Sequence, residues 1–221
     1  MKLTKTLGYL GLLASILVGI GEYLLHYSPH ILEASENYAF FKYVPLNNLS
    51  LGHLFAMVGL PLYFAGYIHI YRMLRSGNET LARIVLAVGF IAFAVGGVWI
   101  GSRASIGNIV HLKEHMDHAI YLNLIDHYTN NVEALVQALR VTIALLSVMF
   151  AIAIIKGGTY YKKWMAIFNP IVILIVLVFL GKALPSIGKH VLPILMNVTH
   201  FILFILSLYQ LNKLNKSSHN A

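Results

Sequence analysis

Six apolar stretches, each about long enough to cross the hydrocarbon core of a bilayer, leave this chain little choice of fold. They lie near residues 7–27, 50–74, 82–106, 132–155, 165–185 and 190–212. A core about 30 Å thick takes about 20 helical residues. Within that layer each backbone N–H and C=O must be paired inside its own segment, so runs of this length have to be helices. The expected fold class is therefore all-α, a bundle of six transmembrane helices. Hydrophobic residues make up 58% of the chain and charged residues 11%, with a mean hydropathy of +0.74, well outside the range of a soluble domain. Little is left over once the apolar runs are removed, so a single transmembrane helical domain over residues 1–221 is expected.

The N-terminus has the basic start and apolar run of a signal peptide. Its apolar run continues past Gly21, broken only by Glu22, and no small-residue cleavage site follows, so it reads as a retained first span. With no cysteine, disulfides, thiolate nucleophiles and Cys-ligated metals are excluded. The net charge of +8 records topology rather than nucleic acid, because no basic patch is interleaved with aromatics. Ten Lys and Arg residues fall on one side of the six-span map, from Lys2 and Lys5 to Lys213 and Lys216. Four fall on the other: Lys42, Arg103, Lys113 and Lys189. The positive-inside rule then places both termini in the cytoplasm, and a bacterial inner membrane is the expected location.

The same map puts His26, His30, His53, His111, His115, His118, His127 and His190 at the outer face, with only His69 and His219 on the cytoplasmic side. Four of them fall in the segment 109–128, read as an additional amphipathic outer helix. As a helix it carries His111, Glu114, His115 and His118 at i, i+3, i+4 and i+7, on one face. Such donors suit zinc or iron. A solvated polar helix with no ligand accounts for them equally well.

Ionisable groups within a span cost about 2.5–3.5 kcal/mol each and are the default functional candidates. Glu22, His53, Arg140, Lys182, Asn197 and His200 all lie between the outer surface and about the midplane, which predicts one outward-facing polar cavity under the histidine-rich lid. Arg103 sits at the outer boundary, where it could reach a lipid phosphate. Ion pairs that hold the bundle together are the plainer alternative. Pro61 is expected to kink the second span. Gly97, Gly101 and Ser105 form a small-residue strip for helix packing or a homo-oligomer. The aromatics of the first outer loop, Tyr38, Phe40, Phe41 and Tyr43, are expected at headgroup level, with a flap over a pocket as the alternative. No P-loop, dinucleotide or nucleophile-elbow motif is present.

Four fragments, GEYLLHYSP, GHLFAMVGLPLYFAGYIHIYRMLR, KKWMAIFNP and LMNVTHFILF, together resemble an uncharacterised family of bacterial multi-pass inner-membrane proteins, a domain of unknown function. The resemblance spans nearly the whole chain and favours Glu22, His53, Asn169, Pro170, Asn197 and His200 over their neighbours, but implies no activity. By residue type alone the chain is also similar to membrane-embedded zinc hydrolases of the alkaline ceramidase and adiponectin-receptor type. It lacks their paired histidines in the last span, since Phe204 stands four residues after His200.

Two functional readings follow. In the first, His53, His115, His118 and His200 bind zinc, Glu22 and His200 are catalytic, and Arg140, Lys182, Asn197 and Arg103 bind the substrate of a hydrolase acting on a lipid or amphiphile. In the second, the same cavity binds, transports or senses an anionic or amphiphilic ligand without chemistry, and its histidines respond to pH. Haem between two histidines ranks below zinc, since few pairs lie at matching depth. Membrane lipids are the expected partners on either reading.

Overall fold

A computed structural model describes residues 1–28 and 38–219, with side chains to residue 216. Pro29, His30, Glu33 and Glu36 of the loop after the first apolar run lie outside the described residues, as does the side chain of His219. Among the described residues every regular element is helical: α1 (Lys2–His26), α2 (Leu46–Leu74), α3 (Glu79–His111), α4 (His118–Lys156), α5 (Pro170–Ala183), α6 (Pro185–Val191) and α7 (Leu195–His219). Short 3-10 turns cover Ala39–Tyr43, Lys113–His115, Lys163–Phe168 and Leu192–Ile194. Five stretches are long and apolar enough to cross a membrane: α1, α2, α3, α4 and the run Pro185–Lys216 that joins α6 to α7. α5, with 14 residues, is shorter.

The bundle is built on glycine contacts between antiparallel helices. A Cβ on Gly11 would lie 2.7 Å from the Gly66 Cα, and one on Gly21 would lie 2.5 Å from the Gly52 carbonyl oxygen. The α1 and α2 backbones therefore touch, a close approach that small residues allow and that maximises dispersion contact. α7 also runs antiparallel to α1, with Leu208 beside Gly8, Phe204 beside Gly11 and Asn197 beside Gly19. α3 packs on α2 with Tyr67 against Gly89 and Leu60 against Gly97. The Gly97 strip thus faces another helix of the same chain. α2 continues unbroken through Pro61.

The start of α1 and the end of α7 share one end of the bundle, called here the near end. The turn after α4 is fixed there too, since Tyr160 N donates to the Met73 carbonyl at 3.0 Å. Gly157 and Gly158 make that turn with φ of 85° and 73°, values that glycine adopts without steric cost. From there the 3-10 turn and α5 return the chain to the far end. Asn169 starts α5 by accepting from Val172 N at 3.2 Å, with Pro170 in the first helical position.

The outer helix expected over 109–128 is not one helix. α3 ends at His111, and α4 starts afresh because Asp117 caps it, its Oδ1 accepting from Ala119 N at 2.8 Å and Ile120 N at 3.2 Å. His111, Glu114, His115 and His118 consequently fall on three different elements and do not share a face. His118 instead opens the 39-residue α4, which is continuous with the fourth apolar run.

Candidate functional site

Two adjoining chambers occupy the far half of the bundle. The first, about 710 Å³, is lined by His26 at the end of α1, Phe40, Trp99 and Arg103 of α3, Lys182 of α5 and Lys189 of α6. Arg103 organises it. Its guanidinium carbon lies 4.6 Å from the Tyr38 ring centroid, 5.3 Å from Phe41, 5.5 Å from Trp99 and 5.7 Å from Phe40. Rings around a cation supply quadrupole attraction without neutralising it. Arg103 Nε donates to His26 Nε2 at 3.1 Å, so that nitrogen carries a lone pair and the imidazole proton is on Nδ1. Tyr38, Phe40 and Phe41 of the first loop thus surround the cation together with Trp99, and Phe40 walls the chamber.

Tyr38 also ties the loop to α4, donating to Glu133 Oε1 at 3.0 Å. Its φ of 63° is left-handed, which costs a non-glycine residue about 1–2 kcal/mol. Burial raises the Tyr38 phenol above its ordinary pKa, the Arg103 charge opposes this, and the bond to Glu133 adds to the rise. The hydroxyl is therefore held as a donor.

The second chamber, about 450 Å³, lies deeper and is apolar, walled by residues such as Val18, Leu60, Phe93, Ile143 and Leu174. Its ionisable lining groups are Glu22 and Arg140, and the amide of Asn197 also lines it. Trp99, Leu192 and Pro193 border both chambers and form the seam between them. Trp99 Nε1 is buried with no hydrogen-bond partner among the described residues, a state that costs about 1–3 kcal/mol.

At the wall of the apolar chamber Asn197 is held from both sides. Its Nδ2 donates to Glu22 Oε2 at 2.5 Å, and its Oδ1 accepts from the Tyr63 hydroxyl at 2.7 Å. One turn on, His200 is fully buried. Its Nδ1 donates to the Met196 carbonyl at 2.9 Å, which leaves Nε2 to accept from the Tyr67 hydroxyl at 2.8 Å. Phe93 stands edge-on to the imidazole at 4.9 Å. At the near end a second chain of buried polar groups links Tyr161, Ser207 Oγ (2.6 Å), His69 Nε2 (2.6 Å) and, through His69 Nδ1, the Thr4 carbonyl (2.7 Å).

The structure therefore brings Glu22, Asn197 and Arg140 to one chamber and Arg103 and Lys182 to the other. It does not assemble His53, His115, His118 and His200. His115 and His118 are exposed, and His53 packs beside Gly101 with its Nδ1 buried and unpartnered among the described residues. Both ring nitrogens of His200 are already engaged. Among the described residues no three His, Asp or Glu side chains are placed to hold one metal ion. Sequence reasoning passed over Tyr63, Tyr67, Trp99, Lys189 and His26 as site residues. His26 was detectable, standing four residues after Glu22 on the same helical face.

A family model described as a family of unknown function, DUF6796, matches residues 1–214. The chain belongs to that family. Comparison with curated proteins and with solved structures gives no match. Membership of DUF6796 agrees with the resemblance in one respect, a domain of unknown function spanning nearly the whole chain, and the site has to be read from its own chemistry.

Proposed function

We propose that this member of DUF6796 is a polytopic membrane protein that binds a single anionic amphiphile, taken from the surrounding lipid. The observation that carries this reading is the pair of chambers meeting at Trp99, Leu192 and Pro193, one cationic and one apolar. Each has a volume within the range of small-molecule sites, about 300–1,000 Å³. The charged head would sit among Arg103, Lys182 and Lys189, and the tail between Val18, Phe93 and Ile143. An ester or phosphate oxygen at the seam would satisfy the Trp99 N–H. Hydrolysis by zinc has weaker support, because the proposed ligands sit on separate surfaces and His200 is locked by two hydrogen bonds.

Six crossings fit this arrangement. α5 rises about 21 Å at 1.5 Å per residue, and the 3-10 turn Lys163–Phe168 before it lengthens this crossing toward the thickness of the hydrocarbon core. The ten-to-four bias of Lys and Arg supports termini in the cytoplasm and chambers facing outward, and the fragment resemblance supports a bacterial inner membrane.

Gly96 lines the apolar chamber, and a Cβ there meets nothing within 4 Å, so a large side chain at this position would fill the tail space without a clash at its root. The test uses Trp164→Phe protein in a nonionic detergent, which leaves Trp99 as the sole tryptophan. Brominated-chain phosphatidylglycerol is expected to quench it saturably, with a stoichiometry near one per chain. Gly96→Phe is expected to abolish the saturable component. Equal quenching in Gly96→Phe, or by phosphatidylcholine, would overturn the reading.

A further inference from the structure

We propose that the basic chamber selects a terminal phosphomonoester, a head group with two negative charges, over the singly charged phosphodiester of ordinary anionic lipids. The proposal rests on the amphiphile-binding reading and adds the class of head group.

Three cations line the chamber and no carboxylate does so among the described residues. Arg103 packs on the Tyr38 ring, whose hydroxyl is bonded to Glu133, so a carboxylate already stands near it. Its Nε is committed to His26 and its faces are covered by rings. Lys182 and Lys189 differ. Both are exposed to the chamber, they lie on separate helices, and among the described residues neither has an ion pair. Two ammonium groups with no countercharge among the described residues suit a ligand that brings two negative charges.

A phosphomonoester meets that demand. It carries about −1.5 to −2 charges near neutral pH and presents three strong acceptor oxygens. A phosphodiester carries one charge and has two of its oxygens substituted. Arginine and lysine recognise phosphate in different ways, the planar guanidinium by its fixed fork and the ammonium as a mobile point charge. One well-held Arg103 and two exposed lysines lining the same chamber therefore suit a compact dianion whose far oxygens need flexible donors.

The experiment follows the Trp99 signal of Trp164→Phe protein in nonionic detergent at pH 8, where the monoester is fully dianionic. Phosphatidic acid, phosphatidylglycerol and phosphatidylcholine with the same brominated chains are titrated separately, and inorganic phosphate is titrated as a competitor. Phosphatidic acid is expected to bind about fivefold or more tighter than phosphatidylglycerol, and Lys182→Gln and Lys189→Gln each to lower its affinity about fivefold. The double variant is expected to erase the preference, so that phosphatidic acid binds no tighter than phosphatidylglycerol. Both lysines are exposed, so the variants should fold, and unchanged melting temperatures would verify it.

Equal affinity for the two anionic lipids, both above phosphatidylcholine, would overturn the head-group inference and leave amphiphile binding standing. A preference that survives the double variant would also overturn it. Absence of saturable binding by any lipid would remove both. Competition by inorganic phosphate as effective as that of phosphatidic acid would show a free-anion site and overturn the lipid assignment.

Discussion

Asn197 on α7 bridges Glu22 on α1 and Tyr63 on α2, donating to the carboxylate at 2.5 Å and accepting from the phenol at 2.7 Å. Three helices are thereby joined through one amide at the wall of the apolar chamber. Asn197→Ala strands two buried groups, each costing about 1–3 kcal/mol. The detergent-solubilised variant is expected to melt about 4–24 °C lower, at 2–4 °C per kcal/mol for a chain of this size. Tyr63→Phe removes only one of the two bonds and should fall by about half as much. Differential scanning fluorimetry of the three proteins side by side decides the matter.

The contact between Gly11 and Gly66 leaves no room for a side chain, whereas Gly96 faces open space. Gly66→Val should therefore separate α1 from α2 and prevent recovery of a monodisperse protein, because small residues are what allow such helices to touch. Gly96→Ala should be neutral or raise stability by about 0.5–1 kcal/mol through helix propensity. Size-exclusion profiles and melting curves would show the contrast. Equal tolerance at the two positions would contradict the packing described here.

Arg103 within its ring of aromatics is a test of shape against charge. Lys at this position retains the charge but loses the flat stack and the Nε donor to His26. Arg103→Lys should cost about 1–2 kcal/mol of stability, the scale of a partly desolvated cation–π contact. Trp99→Leu should cost a similar amount. A double-mutant cycle between the two would report their coupling as the shortfall from additivity.

At the near end, Ser207 stands between two partners, bonding to both Tyr161 and His69. Burial raises the Tyr161 phenol, so it remains a hydroxyl donor at ordinary pH. Ser207→Ala leaves the His69 nitrogen and the phenol unpaired together, while Tyr161→Phe removes one donor and strands little. The alanine variant should therefore lose about 2 kcal/mol or more and the phenylalanine variant about 1 kcal/mol. Urea is a weak denaturant for such a bundle, so thermal melts in detergent are the measurement of choice.

The helical architecture was readable because a bilayer imposes a minimum length on apolar runs, and length survives in a linear string. Glu22 and Asn197 were readable for a related reason: hydrophilic groups in those runs are costly and need partners. Tyr63 and Tyr67 were not, since a tyrosine in an apolar stretch looks like core until its hydroxyl is seen to donate. The histidine-rich segment misled because i, i+3, i+4 spacing describes a helix only if nothing interrupts it. Asp117 does, by capping a new helix in mid-pattern. Trp99 and Lys189 owe their roles to chain segments far apart in sequence, and no local pattern announces that meeting.

α4 runs for 39 residues without a break, about 58 Å at 1.5 Å per residue and nearly twice the thickness of the hydrocarbon layer. On the proposed topology its first turns rise as a straight mast above the lipid surface, in register with the part that lies within it. A chain of 24.6 kDa offers little for particle alignment in electron microscopy. A rigid fiducial fused to the exposed stretch around Leu122 would move with the chambers below, giving this small protein a handle for imaging with its ligand in place.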